Sequence, residues 1–302
     1  MRGAGFELVI NQSRGGIASL RRTQDRFDTE YIKQGNLLGT VMLSYRHPGE
    51  AWARVRLDDP DLRFELTKLS QGQIEVHYRL PKELELIKTC TLAESRLTWQ
   101  MQLRNLGTRA IELGDLALPL RMNTDYVGGD LHEKNAVRKT YQNRLNRHRQ
   151  VAGHGSFVYW MRANGVGPYL VMTPFENTQL EYFDADHTAF IHSARSGNEE
   201  TRGTWRQAHT GRTLAPAGEE KDNVRYGFNF SWAADYEGVR DVLYQDGGFD
   251  IHVVPGMTLP ADLSARIALR TGNRIESLQP EHPEATRVVY LGETQPDVHV
   301  YE

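Results

Sequence analysis

The sequence predicts an all-β fold, with antiparallel strands stacked as a sandwich and one or two short helices. Three observations carry this reading. Apolar and polar residues alternate with a period of two through most of the chain, as in "QIEVHYRL" (73–80) and "RLTWQMQLRN" (96–105). Clusters of Gly, Pro, Asp and Asn separate these runs at short, regular intervals. A helical period with both start and stop signals occurs once, in "DYEGVRDVLYQDG" (235–247).

The strands follow in order. "FELVI" (6–10), "GIASL" (16–20), "LLGTVMLSY" (37–45) and "WARVRL" (52–57) open the chain. "RFELTKL" (63–69), "QIEVHYRL", "LELIKTCTL" (84–92) and "RLTWQMQLRN" continue it. After position 156 come "SFVYWMR", "PYLVMT", "QLEYFD", "AFIHSA", "VRYGFNFSW", "FDIHVVP" and "LSARIALRT". In the helix, Tyr236, Val239, Leu243 and Tyr244 share a face, Asp235 can cap the start and Gly247 can end it. No repeat or Pro/Ser-rich linker interrupts the pattern, so residues 1–302 are expected to form one continuous domain.

Composition narrows the function classes. A hydrophobic content of 39% suffices for a substantial core, and a net charge of −3 gives no global signal for nucleic acid or an anionic membrane. No apolar run is long enough to span a bilayer. The opening "MRGAGFELVI" lacks the apolar core of a secretory signal, which favours a cytoplasmic setting and leaves a secreted parent open. Cys90 is the single cysteine, alternating within a strand, and is expected to be a buried structural thiol.

One segment breaks the β rhythm. Residues 123–155 form a long, polar, basic insert, in which Val137, Tyr141, Leu145 and His148 fall at helical spacing. From 121 to 162 there are eight Lys/Arg against three acids, in a chain whose total is −3. Such a cationic excess beside a strand suits an anionic ligand such as a uronate carboxylate or a phosphate, or simply a solvated basic face.

Candidate site residues cluster there. His154 lies between Gly153 and Gly155 at the mouth of a strand, a position that fits a tight turn or a catalytic imidazole. His148 is a second candidate base, Tyr141 a candidate acid, and Arg144, Arg147 and Arg162 candidate carboxylate forks. Together they supply the residue types for β-elimination from a uronic acid. Ser156 is a further substrate-binding candidate, with no Gly-x-Ser-x-Gly elbow to make it a nucleophile. No metal site is expected: Asp130, His132 and Glu133, and likewise Asp184, Asp186 and His187, lack a metal-ligand spacing. No cofactor is expected either, with a structural calcium on Asp125, Asp130 or Asp184 left open.

Several stretches carry a family resemblance. "GFELVINQSRGGIASL", "LTWQMQLRNLGTRAIELGDLALPL" and "VVPGMTLPADLSARIALR" resemble the strands of galactose-mutarotase-like β-supersandwich domains. "AGHGSFVYWMRANGVGPYLVMTP" with "TQLEYFD" resembles the N-terminal β-domain of six-hairpin carbohydrate-active enzymes, a domain-of-unknown-function family related to rhamnose–glucuronate lyases. That resemblance implies an N-terminal sandwich domain of a polysaccharide lyase or glycoside hydrolase. It also implies a helical toroid as partner domain, absent from these 302 residues, so the isolated chain is expected to be incomplete. The implied ligand is an oligo- or polysaccharide, anionic by the basic insert. The implied roles are His148 or His154 as base, Tyr141 as acid, and Arg144 or Arg147 as carboxylate clamp. A non-catalytic carbohydrate-binding module is the alternative. An aldose 1-epimerase is less favoured, because no His and carboxylate pair for it can be singled out.

Overall fold

A computed structural model describes residues 1–302 except 4, 94, 125–140, 194–211, 257 and 259. The chain divides into two compact units, Met1–Asp235 and Tyr236–Glu302. The expectation of one continuous domain had no signal against it. A strand ending at Ala233 is followed almost directly by a helix starting at Tyr236, leaving no linker to read.

Unit 1 contains β1 (Arg2–Gly3), β2 (Phe6–Asn11), β3 (Gly16–Arg22), β4 (Met42–Arg46), β5 (Ala53–Arg56) and β6 (Phe64–Lys68). Next come β7 (Gln73–Leu80), β8 (Leu84–Ala93), β9 (Arg96–Asn105), β10 (Ile111–Pro119), β11 (Leu145–Gln150) and β12 (Phe157–Arg162). The remainder are β13 (Tyr169–Glu176), β14 (Tyr182–Phe183), β15 (Thr188–His192), β16 (Arg212–Leu214) and β17 (Asn223–Ala233). An eight-stranded sheet runs in the order β11-β12-β13-β17-β9-β8-β7-β6. A second runs β14-β15-β10-β4-β5 with β16 also on β10, and a third β1-β2-β3. The ladders are antiparallel, as the alternation predicts.

Period-two patterning sends one face of each sheet into a shared core. Along β8, Leu84, Leu86, Lys88 and Cys90 point inward and the residues between them point outward. Trp99, Trp160, Phe228, Leu118 and Ile191 close the same core from other strands. Each such large apolar side chain contributes about 1.5–3 kcal/mol through burial. Lys88 is an exception to the pattern. Its buried amino group donates to the Gly39 carbonyl at 3.0 Å and lies 3.4 Å from the Tyr78 hydroxyl.

The predicted strand 37–45 is shorter than expected, beginning only at Met42. Gly39 adopts φ +81°, and a Cβ there would stand 2.7 Å from Trp99 Nε1, so the chain turns where the indole approaches the backbone. Cys90 is buried, and burial pushes its thiol up to about 12.

Unit 2 holds α1 (Tyr236–Gln245), β18 (Asp250–Val254), β19 (Arg266–Arg270), β20 (Tyr290–Gln295) and β21 (Val298–Tyr301). Its strands order as β18-β19-β21-β20. Val239 and Leu243 of the predicted apolar face are buried, whereas Tyr236 is exposed. Gly247, at φ +76°, ends the helix as expected, with the Gly248 N–H bonded to the Leu243 carbonyl at 2.9 Å. Arg240 ties α1 to β18 through Asp250 at 2.8 Å.

Candidate functional site

The candidate residues sit on a β-hairpin. Strand β11 pairs with β12 in antiparallel register, Leu145 opposite Arg162, Arg147 opposite Trp160, His148 opposite Tyr159 and Gln150 opposite Phe157. This corrects the helical spacing read for 137–148. Leu145 and His148 lie on a strand, Tyr141 lies in a helical turn, and Val137 lies outside the described residues. The short stretch 145–150 carries one apolar residue and is too polar for its strand character to show in the pattern.

Two candidates are withdrawn by burial. Arg162 is 0% exposed, and its guanidinium donates to Asp25 Oδ1 at 2.5 Å, Thr29 Oγ1 at 2.9 Å and the Gly167 carbonyl at 3.0 Å. Ser156 is buried too. Its hydroxyl accepts the Ala152 N–H at 2.9 Å and donates to the Gly153 carbonyl at 2.7 Å, which closes the hairpin turn. Gly153 adopts φ +60° in that turn. Neither side chain has a surface to offer a ligand. Arg144 donates to Asn123 Oδ1 at 2.7 Å and is half-buried, which fixes the approach to β11.

The three candidate acid–base residues do not converge. His148 is exposed on one face of β11 and stacks on Tyr159, with ring centroids 4.6 Å apart and planes 10° apart. Tyr159 stacks in turn near Tyr169 at 6.1 Å, so the imidazole ends an aromatic ladder. Partial desolvation of the ring lowers the His148 pKa. His154 is exposed at the hairpin tip, where Gln179 Nε2 lies 2.6 Å from its Nε2. Tyr141 is exposed ahead of β11.

Arg147 and Arg149 occupy the opposite face of β11 from His148, because successive strand residues alternate sides. Each guanidinium lies over the Phe183 ring, 4.6 Å from its centroid. Arg149 also donates to the Phe183 carbonyl at 3.3 Å. Arg147 donates to His187 Nδ1. In the neutral imidazole this leaves the ring proton on Nε2. Burial and the Arg149 charge pull the Arg147 guanidinium below its ordinary range, with Asp184 partly offsetting them. Two like charges sharing one ring favour an anion between them.

His187 belongs to the turn joining β14 to β15. It adopts φ +64°, and its carbonyl accepts the Leu120 N–H at 2.9 Å. A left-handed non-glycine residue is uncommon, and here the ring and the backbone are both tied down. The sequence motif "FDADH" (183–187) was legible as a cluster of polar residues. Its contact with a strand forty residues earlier was not. Among the described residues no group of three His, Cys, Asp or Glu side chains could hold a metal ion, and Asp125, Asp130, His132 and Glu133 lie outside them.

Residues 22–302 match the model of DUF5695, a family of unknown function. The chain belongs to DUF5695. No curated protein matches this member of the family. Among solved structures it is similar to a polysaccharide lyase, with 14% identity and a TM-score of 0.65 over 90% of this chain and 39% of that one. The DUF5695 chain therefore spans about two fifths of the lyase it matches. It also matches a galactose 1-epimerase from Lactobacillus acidophilus, with 11% identity and a TM-score of 0.42 over 78% of this chain and 93% of that one. A bacterial glucoamylase matches with 10% identity and a TM-score of 0.41 over 79% of this chain and 32% of that one. At 14% identity the likeness to the lyase is one of fold, an antiparallel β-sandwich.

Proposed function

We propose that this chain is the N-terminal β-sandwich domain of a polysaccharide-degrading enzyme, a lyase or glycosidase acting on uronate-containing glycans. Its contribution to the cleft is the edge formed by Arg147, Arg149, Phe183 and His187. One observation carries the reading: two guanidiniums share a single aromatic floor beside an imidazole that contacts one of them. Paired guanidiniums bind a carboxylate through a fork of N–H donors, and the buried Phe183 ring beneath both of them holds the pair in place.

In a β-elimination, a uronate carboxylate held there stabilises the charge that develops as a base removes the C5 proton. The electron pair forms the C4–C5 double bond, the C4–O4 bond breaks, and the leaving oxygen takes a proton. His187, with its proton on Nε2, can hydrogen-bond the leaving oxygen in that step, which takes its proton from solvent. It takes the place of Tyr141, His148 and His154, because Tyr141 precedes β11, His148 lies on its other face and His154 lies at the hairpin tip. The same dispersal favours a second reading, a glycan-binding domain whose catalytic groups lie elsewhere in a longer enzyme.

The test is to incubate the full natural gene product with rhamnose-capped glucuronate oligosaccharides and follow the absorbance of unsaturated uronate. Elimination gives growing absorbance, abolished by Arg147→Gln. Reducing-sugar release without absorbance identifies hydrolysis. Turnover unchanged in His187→Ala, with binding lost in Arg147→Gln, selects the binding-domain reading. Neither turnover nor binding of any acidic glycan removes both.

A further inference from the structure

A polar cavity in unit 1 is lined in part by Asp184, from the turn that follows Phe183 and carries His187, but by none of Arg147, Arg149, Phe183 or His187. Its volume is about 260 Å³, and its lining includes Arg14, Asn36, Arg56, Asp58, Arg121 and Asp184. Five separate segments deliver these groups, the turn between β14 and β15 supplying Asp184. Arg14 comes from the turn between β2 and β3, where the Arg14 and Gly15 N–H groups bond to the Asn11 carbonyl at 3.3 and 2.8 Å. Asn36 comes from a turn held by its own N–H to the Lys33 carbonyl at 3.0 Å. Arg56 and Asp58 come from the end of β5, and Arg121 follows β10, its carbonyl bound by the Lys33 N–H at 3.0 Å.

The polar groups of this cavity are not equally committed. Arg56 makes a two-bond fork with Asp58, at 3.1 and 3.0 Å. Asp184 Oδ1 accepts the Thr188 N–H at 2.8 Å, which fixes the carboxylate. The side chains of Arg14 and Arg121 have no hydrogen-bond or ion-pair partner among the described residues, and both are exposed. Two guanidiniums without hydrogen bonds, Arg14 within electrostatic reach of Asp58, therefore face a cavity whose carboxylates are already oriented. The guanidiniums call for an anionic oxygen pair. The oriented carboxylates and Asn36 call for hydroxyl donors. The volume, near the lower end of the range for small-molecule sites, suits a single sugar ring.

Resting on the glycan reading above, we infer that this cavity is a separate subsite for one acidic monosaccharide unit, its carboxylate on Arg14 and Arg121 and its hydroxyls on Asp58, Asp184 and Asn36. A free inorganic anion meets only half of these demands, and a neutral sugar only the other half.

The experiment titrates the intact protein calorimetrically with sodium glucuronate, glucose and inorganic sulfate, comparing wild type with Arg14→Gln/Arg121→Gln and with Arg147→Gln/Arg149→Gln. All four arginines reach the surface or are half-buried, so each double variant is first checked for an unchanged melting temperature. Expected is saturable glucuronate binding that persists in Arg147→Gln/Arg149→Gln and is weakened by about tenfold or more when Arg14→Gln/Arg121→Gln is added to that background. Glucose and sulfate bind more weakly than glucuronate. The reverse pattern, with loss only in Arg147→Gln/Arg149→Gln, overturns the subsite and leaves the hairpin reading intact. Sulfate binding as tight as glucuronate overturns the assignment of a sugar, and no saturable glucuronate binding overturns the subsite outright. The hairpin reading has its own readout in elimination, so the two fail separately.

Discussion

Arg162 and Asp25 form an ion pair at 2.5 Å with side chains 0% and 3% exposed, linking β12 to the segment that follows β3. The guanidinium also lies over the Phe27 ring, 4.6 Å from its centroid. Burial on its own pushes the Asp25 carboxyl up. The Thr29 N–H and Arg162 outweigh it and hold the group below its ordinary value of 3.8. A buried charge left without its partner is costly. Arg162→Met is expected to destabilise unit 1 by about 3–5 kcal/mol. Adding Asp25→Asn recovers part of that loss, since the orphaned charge is gone but the Gly167 and Val166 carbonyls remain without their donor. Denaturant midpoints of the two variants check both statements. Since the Asp25 pKa is depressed, its contribution is present above pH 3.8 and lost as pH falls through the lowered folded value.

The hairpin turn makes a smaller, local prediction. Gly153 needs a left-handed backbone and Ser156 bridges two turn groups, so Gly153→Ala and Ser156→Ala are each expected to cost about 1–2 kcal/mol. His154, between them, is exposed and should tolerate Ala at under about 0.5 kcal/mol. Hydrogen exchange at the β11–β12 amides reads all three. Equal protection in Gly153→Ala and His154→Ala contradicts the assignment of the turn to Gly153.

Lys88 gives a pH prediction. Complete burial pulls its ammonium down to about 7 from the ordinary 10.5. Between those values the unfolded chain binds the proton more tightly, so stability rises with pH across the window and the penalty is full below pH 7. The full span corresponds to roughly 5 kcal/mol by the usual conversion. Buried Tyr31, Tyr78 and Tyr226, whose hydroxyls are pushed up by burial, act in the opposite sense only above their ordinary value of 10. Melting temperatures from pH 7 to 9 should therefore rise in wild type and lose most of that rise in Lys88→Met. An identical slope in the variant refutes the neutral-lysine account.

The sandwich was legible because burial on one face of a strand imposes alternation, as along β7, β8 and β9. The divisions of the chain were less so. No linker stands between Ala233 and Tyr236, and β11 is an edge strand whose exposed residues obey no pattern. At the site, residue types could be read but not their directions. Arg147 and Arg162 are both arginines in one basic run, yet one reaches Phe183 and the other is sealed against Asp25. Which of them a ligand can meet depends on strand register and on partners 40 positions away for Arg147 and 137 for Arg162, and neither is written locally in the sequence.

The two arginines over Phe183 should respond differently to salt. Arg149 is exposed and Arg147 half-buried, and only the latter also contacts His187. Screening acts on exposed charges first, with a Debye length of about 10 Å at 0.1 M salt and about 3 Å at 1 M. For an acidic oligosaccharide bound at this edge, Arg149→Gln is expected to weaken affinity several-fold at low salt and little at high salt. Arg147→Gln should weaken it by about tenfold or more at both, since a half-buried charge-assisted bond is worth about 1.5–3 kcal/mol. Titrations of wild type and both variants at the two salt concentrations separate the contributions. If the variants show the same salt dependence, the guanidiniums act as a diffuse surface charge, and the distinct role given to Arg147 is wrong.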